Sequence, residues 1–273
     1  MEGTMIVFDF DKTIIDCDSD NWVIDHFGGT ERFDGLLLTF PWNTAMDKIM
    51  GEFHEQGKSI EEIKEILIKA PLSPHTISAI KSAYSLGCEL RIVSDANIFF
   101  IETILKHHGL MNYFSEINTN PSYVDNEGRL RISPYHDFTI SSHGCSLGTC
   151  PPNMCKGLII ERIKKSMYKE GKQRLIYLGD GKGDYCPLLK LSERDQMMPR
   201  RNYPVWDLIC SKQNDINAQM YDWADAEGLE RVLLRLVNGN SSSVQLISTD
   251  ATCHAAVPVT SHEALPKVLN VTN

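Results

Sequence analysis

Apolar residues gather along this chain into short runs that stop at acids. Met5-Ile6-Val7-Phe8 ends at Asp9, residues 90–93 end at Ser94-Asp95, and residues 175–178 end at Gly179-Asp180. Short, mainly apolar runs of this kind predict strands buried on both faces of a mostly parallel sheet. Between them, helical spacing predicts helices over 73–86, 98–108 and 155–168. The alternation is that of a doubly wound α/β fold. In such folds ligands bind at the carboxyl ends of the strands, which is where these acids fall.

Residues 19–71 separate the first run from the next helix by far more chain than a simple crossover needs. That excess predicts an inserted cap. Residues 44–50 and 59–67 space their apolar positions at i, i+3 and i+4, and the second segment opens on Ser59 with Glu62 three residues on, a capping-box pattern. The expected division is an α/β core of residues 1–18 and 72–239, a helical cap of residues 19–71 inserted after the first strand, and a disordered tail of residues 240–273 without periodicity. Residues 120–153, rich in Pro, Ser, Gly and His, predict a surface excursion with a hairpin at Asp125-Asn126-Glu127-Gly128.

With 273 residues the chain can bury an ample core without disulfides or metal. A net charge of −9 with no Lys/Arg block lacks the footprint of a nucleic-acid binder and points to a small-molecule partner. The first apolar run has no basic lead and no small-residue cleavage site, and no apolar stretch approaches the roughly 18 residues of a membrane span. A cytoplasmic protein with no membrane partner is the expectation. The eight cysteines, dispersed through a long chain without an export signal, are expected to be reduced.

The candidate chemistry begins at Phe8-Asp9-Phe10-Asp11-Lys12-Thr13. An Asp carboxylate can attack phosphorus and divide a hard hydrolysis into two easier steps, although two acids in a turn, taken alone, read more readily as solvated charges, and it is the motifs that follow which overturn that reading. Gly179-Asp180-Gly181-Lys182-Gly183-Asp184 follows another buried strand. Its glycines let backbone approach a ligand, and its acids suit a hard cation. Lys156 opens a helix, where an ammonium can hold phosphate and offset carboxylate charge. His143, Cys145, Cys150 and Cys155 offer four donors on one segment, as a structural zinc requires, without the usual paired spacing. Ordinary packed thiols are the other reading of that segment.

In order, DFDKT, VSDAN, CKG and GDGKGD resemble the haloacid dehalogenase superfamily of phosphatases. The resemblance implies Asp9 as nucleophile, Asp11 as general acid and then base, and Ser94 with Lys156 on the phosphate. It further implies Mg²⁺ held by Asp9, Asp180 and the Asp11 carbonyl, with Asp184 supporting those ligands from behind. The physics agrees, because the phosphoryl transition state spreads negative charge that a cation, a lysine and loop N–H groups stabilise. Asp11 must be protonated when the leaving group departs, and a neighbouring carboxylate and burial both raise its pKa.

A narrower resemblance covers residues 5–237. IIDCDSDNWV, PWN, IVSDAN, EINTNP, SPYH, CPPNMCKG, YLGDGKGDYCP and MMPR are similar to the phosphoethanolamine/phosphocholine phosphatase family and its plant branch, which includes thiamine phosphate phosphatase-like proteins. This implies Asp20 and Asp95 as acids for a cationic head group, with Trp22 and Trp42 as ring faces or as packing. Phosphoethanolamine and phosphocholine are then the expected substrates, and thiamine monophosphate, pyridoxal phosphate and pyrophosphate the alternatives. A non-catalytic phospholigand-binding module is the reading from another class. Retention of Asp9, Asp11, Lys156 and Asp180 together argues against it.

Overall fold

The computed structural model describes residues 3–212 and 216–239; the tail expected over 240–273 lies outside them. Six strands, β1 (Thr4–Phe8), β2 (Glu89–Asn97), β3 (Phe114–Asn120), β6 (Arg174–Gly179), β7 (Gln196–Pro199) and β8 (Gln219–Met220), form one sheet in the order β3-β2-β1-β6-β7-β8. Every pairing in it is parallel. A separate antiparallel hairpin of β4 (Ser122–Val124) and β5 (Leu130–Ile132) turns through the segment expected to do so.

Because successive side chains of a strand point to opposite faces, the uniformly apolar β1 serves two layers. Ile6 and Phe8 pack with Ala79, Ile80 and Ala83 of α5 (Pro74–Ser85) and with Leu229, Leu233 and Leu236 of α10 (Ala226–Val237). Met5 and Val7 pack instead with Ile159, Ile160 and Ile163 of α7 (Lys156–Lys169). Also in the core are α6 (Ile98–His107), α8 (Tyr185–Leu188) and α9 (Pro204–Ser211).

Four helices follow β1 before α5: α1 (Ser19–His26), α2 (Thr30–Leu37), α3 (Trp42–Glu55) and α4 (Ile60–Leu67). The Ser59 hydroxyl accepts the Glu62 N–H at 3.2 Å while the Glu62 carboxylate accepts the Ser59 N–H at 2.8 Å, closing the box that starts α4. Val23, Phe33, Met46, Ile49, Phe53 and Ile63 from this insert join the same apolar cluster as α5 and α10. The hairpin docks on it too, since the Arg131 guanidinium meets both Asp47 oxygens of α3 at 3.0 and 2.8 Å.

The run read as a strand over 90–93 continues to Asn97, carrying Ser94 and Asp95 inside β2 with a register shift before Asn97. Cys17, Cys88, Cys145, Cys150, Cys155 and Cys186 are free thiols. Cys210 is disulfide-bonded, a departure from the expectation that the thiols are reduced. No helix among the described residues is long and apolar enough to cross a membrane.

Candidate active site

Strand order reverses on either side of β1, so the crevice of this sheet opens between the ends of β1 and β6, the place where open α/β sheets bind ligands. Asp9 follows β1 and Asp180 follows β6. The Asp9 carboxylate accepts the Phe10 N–H at 2.7 Å and the Lys156 ammonium at 2.6 Å. Lys156 also donates to Asp184 at 2.9 Å. Asp184 is fully buried and accepts three further bonds, from the Tyr177 hydroxyl at 2.6 Å and the N–H groups of Asp180 and Gly181 at 3.0 and 2.8 Å. The Thr13 hydroxyl donates to Asp180 at 3.2 Å.

Carboxylate oxygens of Asp9, Asp180 and Asp184 lie within 4.8 Å of one another. Burial, and then the Asp184 charge, push the Asp9 carboxyl well above the usual carboxylate range against the pull of Lys156. The same two causes raise Asp180 to about 7. Three buried acids facing one lysine form an oxygen-rich, electron-rich set that fits a hard divalent cation.

Between Asp9 and α1 the chain makes a tight loop in which Lys12 takes φ of 54°. Arg200, just past β7, holds that loop: its guanidinium donates to the Lys12 carbonyl and to Asp16, each at 2.6 Å, while stacked near Tyr203 and Trp223. Sequence reasoning assigned Arg200 no role, because its partners lie far up the chain and MMPR has no chemistry of its own. The Asp11 carboxylate accepts the Ser19 N–H at 3.0 Å and the Ser19 hydroxyl at 3.1 Å. Burial, with the charges of Asp18 and Asp20, raises its pKa well above the ordinary value, as a general acid requires.

A cleft of about 550 Å³ is lined by Asp9, Asp11, Ser94, Asp95, Lys156 and Asp180 among others. Asp20 is buried beside it and accepts the Trp42 indole N–H at 2.7 Å; burial and Asp18 raise its pKa to about 8. Asp95 accepts the side-chain amides of Asn153 at 2.6 Å and Asn120 at 3.1 Å. Trp42 lines the cleft, whereas Trp22 donates its indole N–H to the Ile66 carbonyl at 3.0 Å within the helical insert.

The cysteine segment departs from its expected donor set. Cys145, Cys150 and Cys155 do converge, but the fourth member is Cys186 of α8, not His143. The His143 ring faces the Pro151 carbonyl at 3.1 Å through Nε2 and the Cys145 N–H at 3.1 Å through Nδ1. A search confined to one segment misses Cys186, which stands two residues after Asp184 on a different element.

Residues 4–237 match the family model described as "Putative Phosphatase". The chain belongs to this phosphatase family of the haloacid dehalogenase superfamily. "Inorganic pyrophosphatase 1" of Arabidopsis thaliana is 63% identical over 226 residues, 83% of this chain and 77% of that one. "Inorganic pyrophosphatase 2" of the same plant is 56% identical over 98% of this chain and 97% of its own. Human "Phosphoethanolamine/phosphocholine phosphatase" is 31% identical over 81% of this chain and 85% of its own. In fold, the chain resembles the crystal structure of a HAD family hydrolase from Salmonella enterica, with a TM-score of 0.58 and 14% identity over 85% of this chain and 71% of that one. The chain is therefore a phosphatase, and the non-catalytic reading falls. This family is typically metal-dependent.

Proposed function

We propose that this phosphatase hydrolyses inorganic pyrophosphate with Mg²⁺, passing the phosphoryl group through Asp9. The observation that carries the reading is the lysine set of the cleft. Lys12, Lys156 and Lys182 line one cavity, positive charge suited to two phosphates, whereas an amino-alcohol ester brings one phosphate and a cation. The acids expected to hold that cation each already accept from neutral donors on one oxygen: Asp95 through Oδ1 from Asn120 and Asn153, Asp20 through Oδ2 from Trp42. Burial and the neighbouring Asp18 raise the Asp20 pKa to about 8, which weakens the charge it offers an ammonium.

Two plant relatives at 63% and 56% identity carry pyrophosphatase names, against 31% for the human amino-alcohol phosphatase. Phosphoethanolamine and phosphocholine, the first expectation, therefore move to second place. One observation keeps them there: Trp42, Asp18 and Asp95 line the same cleft, a ring face and carboxylates of the kind that recognise quaternary ammonium.

In this mechanism an Asp9 oxygen attacks the terminal phosphorus and the bond to the leaving phosphate breaks in line. Asp11 supplies the proton, and leaving phosphate, a weaker base than an alkoxide, asks less of it. Water, deprotonated by Asp11, then attacks the phosphorus of phospho-Asp9 and frees the carboxylate. Lys156 and Ser94 hold the phosphoryl oxygens. Asp9, Asp180 and the Asp11 carbonyl would hold Mg²⁺, which supplies charge neutralisation at the phosphoryl oxygens. Asp184, whose oxygens already accept four bonds, positions Lys156 and the turn after β6.

The test is kcat/KM with Mg²⁺ for pyrophosphate, phosphoethanolamine, phosphocholine, thiamine monophosphate and pyridoxal phosphate. Pyrophosphate should lead by at least about tenfold, and Asp9→Asn should abolish turnover on all five. A lead for the amino-alcohol esters would install the second reading. Wild-type rates in Asp9→Asn would end the covalent mechanism.

A further inference from the structure

The cysteine cluster takes no part in the phosphoryl chemistry. Its sulfurs form a closed ring: Cys145 to Cys150 at 3.7 Å, Cys150 to Cys155 at 3.7 Å, Cys155 to Cys186 at 3.6 Å, and Cys186 to Cys145 at 3.8 Å. These are not disulfides, which need about 2.0 Å, and all four residues are free thiols. All four sulfurs lie within 4.8 Å of one another. A flat ring with those edges would need a longer diagonal, so the ring is puckered toward a tetrahedron. Zinc–thiolate bonds of about 2.3 Å give a tetrahedron with sulfur–sulfur edges of about 3.8 Å.

We propose that Cys145, Cys150, Cys155 and Cys186 bind one structural Zn²⁺. Four thiolates close the coordination shell and leave no open position for substrate, which marks a structural centre. Soft sulfur donors also separate this site from the oxygen set around Asp9, which suits Mg²⁺.

The ion would sit on a stretch of chain without regular secondary structure. Residues 133–155, between β5 and α7, contain no helix or strand, and a loop that long inside a compact domain needs something to hold it. Yet the loop carries Asn153, whose amide bonds Asp95 and Asn120, and it ends at Cys155, the residue that caps α7 just before Lys156. Cys186 lies on α8, directly beyond the Asp184 turn. One ion would thus fasten the loop, the start of the Lys156 helix and the turn behind Asp180 to one another. Gly157 fits the same design, because a Cβ at that position would overlap the Cys186 sulfur.

The experiment uses the full chain expressed with ample zinc and dialysed against Mg²⁺ buffer. Elemental analysis should find one zinc per chain, released when a mercurial blocks the thiols and read with a chromogenic chelator. Chains loaded with Co²⁺ should show thiolate charge-transfer absorption and the intense visible bands of a tetrahedral centre. Cys186→Ser should lose the zinc and His143→Ala should keep it; if Cys186→Ser does not fold, the wild-type stoichiometry and the cobalt spectrum decide alone. Wild-type protein without zinc, with iron in its place, or with the four cysteines paired as disulfides overturns the proposal, as does full zinc retention in folded Cys186→Ser. None of these readouts depends on which phosphate compound is hydrolysed.

Discussion

Asp184 is a fully buried carboxylate with four hydrogen-bond donors around it, and the residue that makes room for it is Gly179. A Cβ on Gly179 would stand 2.5 Å from the Asp184 Cγ and 2.6 Å from one of its oxygens. Overpacking of this kind costs about 1–3 kcal/mol. Gly179→Ala should therefore lower Tm by roughly 2–10 °C, whereas Gly181→Ala, whose Cβ meets the same oxygen at an ordinary 3.5 Å, should stay within about 0.5 kcal/mol of wild type. Thermal unfolding of both variants decides it, and equal losses would mean that Asp184 moves aside freely. At this scale Asp9, Asp11, Ser94, Lys156 and Asp180 were legible because each sits in a short string that carries its own chemistry, and all five reach one cleft. Tyr177, Asn153 and Arg200 were not. Their roles exist only through partners that the fold supplies.

Legibility among the elements followed the hydrophobic pattern and failed where charges pair. β1 and β6 are unbroken apolar runs, but β3 reads Phe-Ser-Glu-Ile-Asn-Thr-Asn and hides its strand behind polar side chains. Those side chains are satisfied across the sheet: Glu116 of β3 pairs with Arg91 of β2 at 2.5 Å and with Arg162 of α7 at 2.8 Å. Glu89, at the start of β2, joins the same end of the sheet, pairing with Lys172 and accepting from Arg91 and Ser115, each at 2.7 Å. Burial alone would raise the Glu89 pKa, but hydrogen bonds from Lys172, Ser115 and Arg91 outweigh it and bring the group down to about 2 from an ordinary 4.5. The folded state then binds this proton less tightly than the unfolded state. The stability Glu89 contributes is complete above about pH 4.5 and is lost as pH falls through about 2. Glu89→Gln should cost about 1–3 kcal/mol at neutral pH, with the gap to wild type closing as acid approaches pH 2. Urea midpoints across that range measure it, and a gap independent of pH would remove the carboxylate's charge from the account.

For the whole molecule, the surplus of chain after β1 announced an insert, but not what it would rest on. The order of the strands and the docking of the hairpin on α3 depend on contacts between segments whose separate patterns say nothing of each other. α3 connects the insert to the cleft at one end and to the hairpin further along: Trp42 lines the cleft and bonds Asp20, while Asp47 accepts the Arg131 guanidinium and also the Ile132 N–H at 2.8 Å. The Arg131–Asp47 pair is partly exposed, with side chains 39% and 22% accessible, so solvent screening limits it to about 0.2–1 kcal/mol. Asp47 carries more, because its removal also strips a backbone N–H of its acceptor, a loss of about 1–3 kcal/mol. Asp47→Ala should thus destabilise the protein more than Arg131→Ala, and the double variant should cost little beyond Asp47→Ala, since that change already breaks both bonds. Loosening α3 should also raise KM more than it lowers kcat, because Trp42 lines the cleft without touching the nucleophile. Urea unfolding of the two single variants and the double variant, with kinetics on each, tests both statements. Equal single costs would make the backbone bond irrelevant, and an unchanged KM would detach the hairpin from the substrate's side of the cleft.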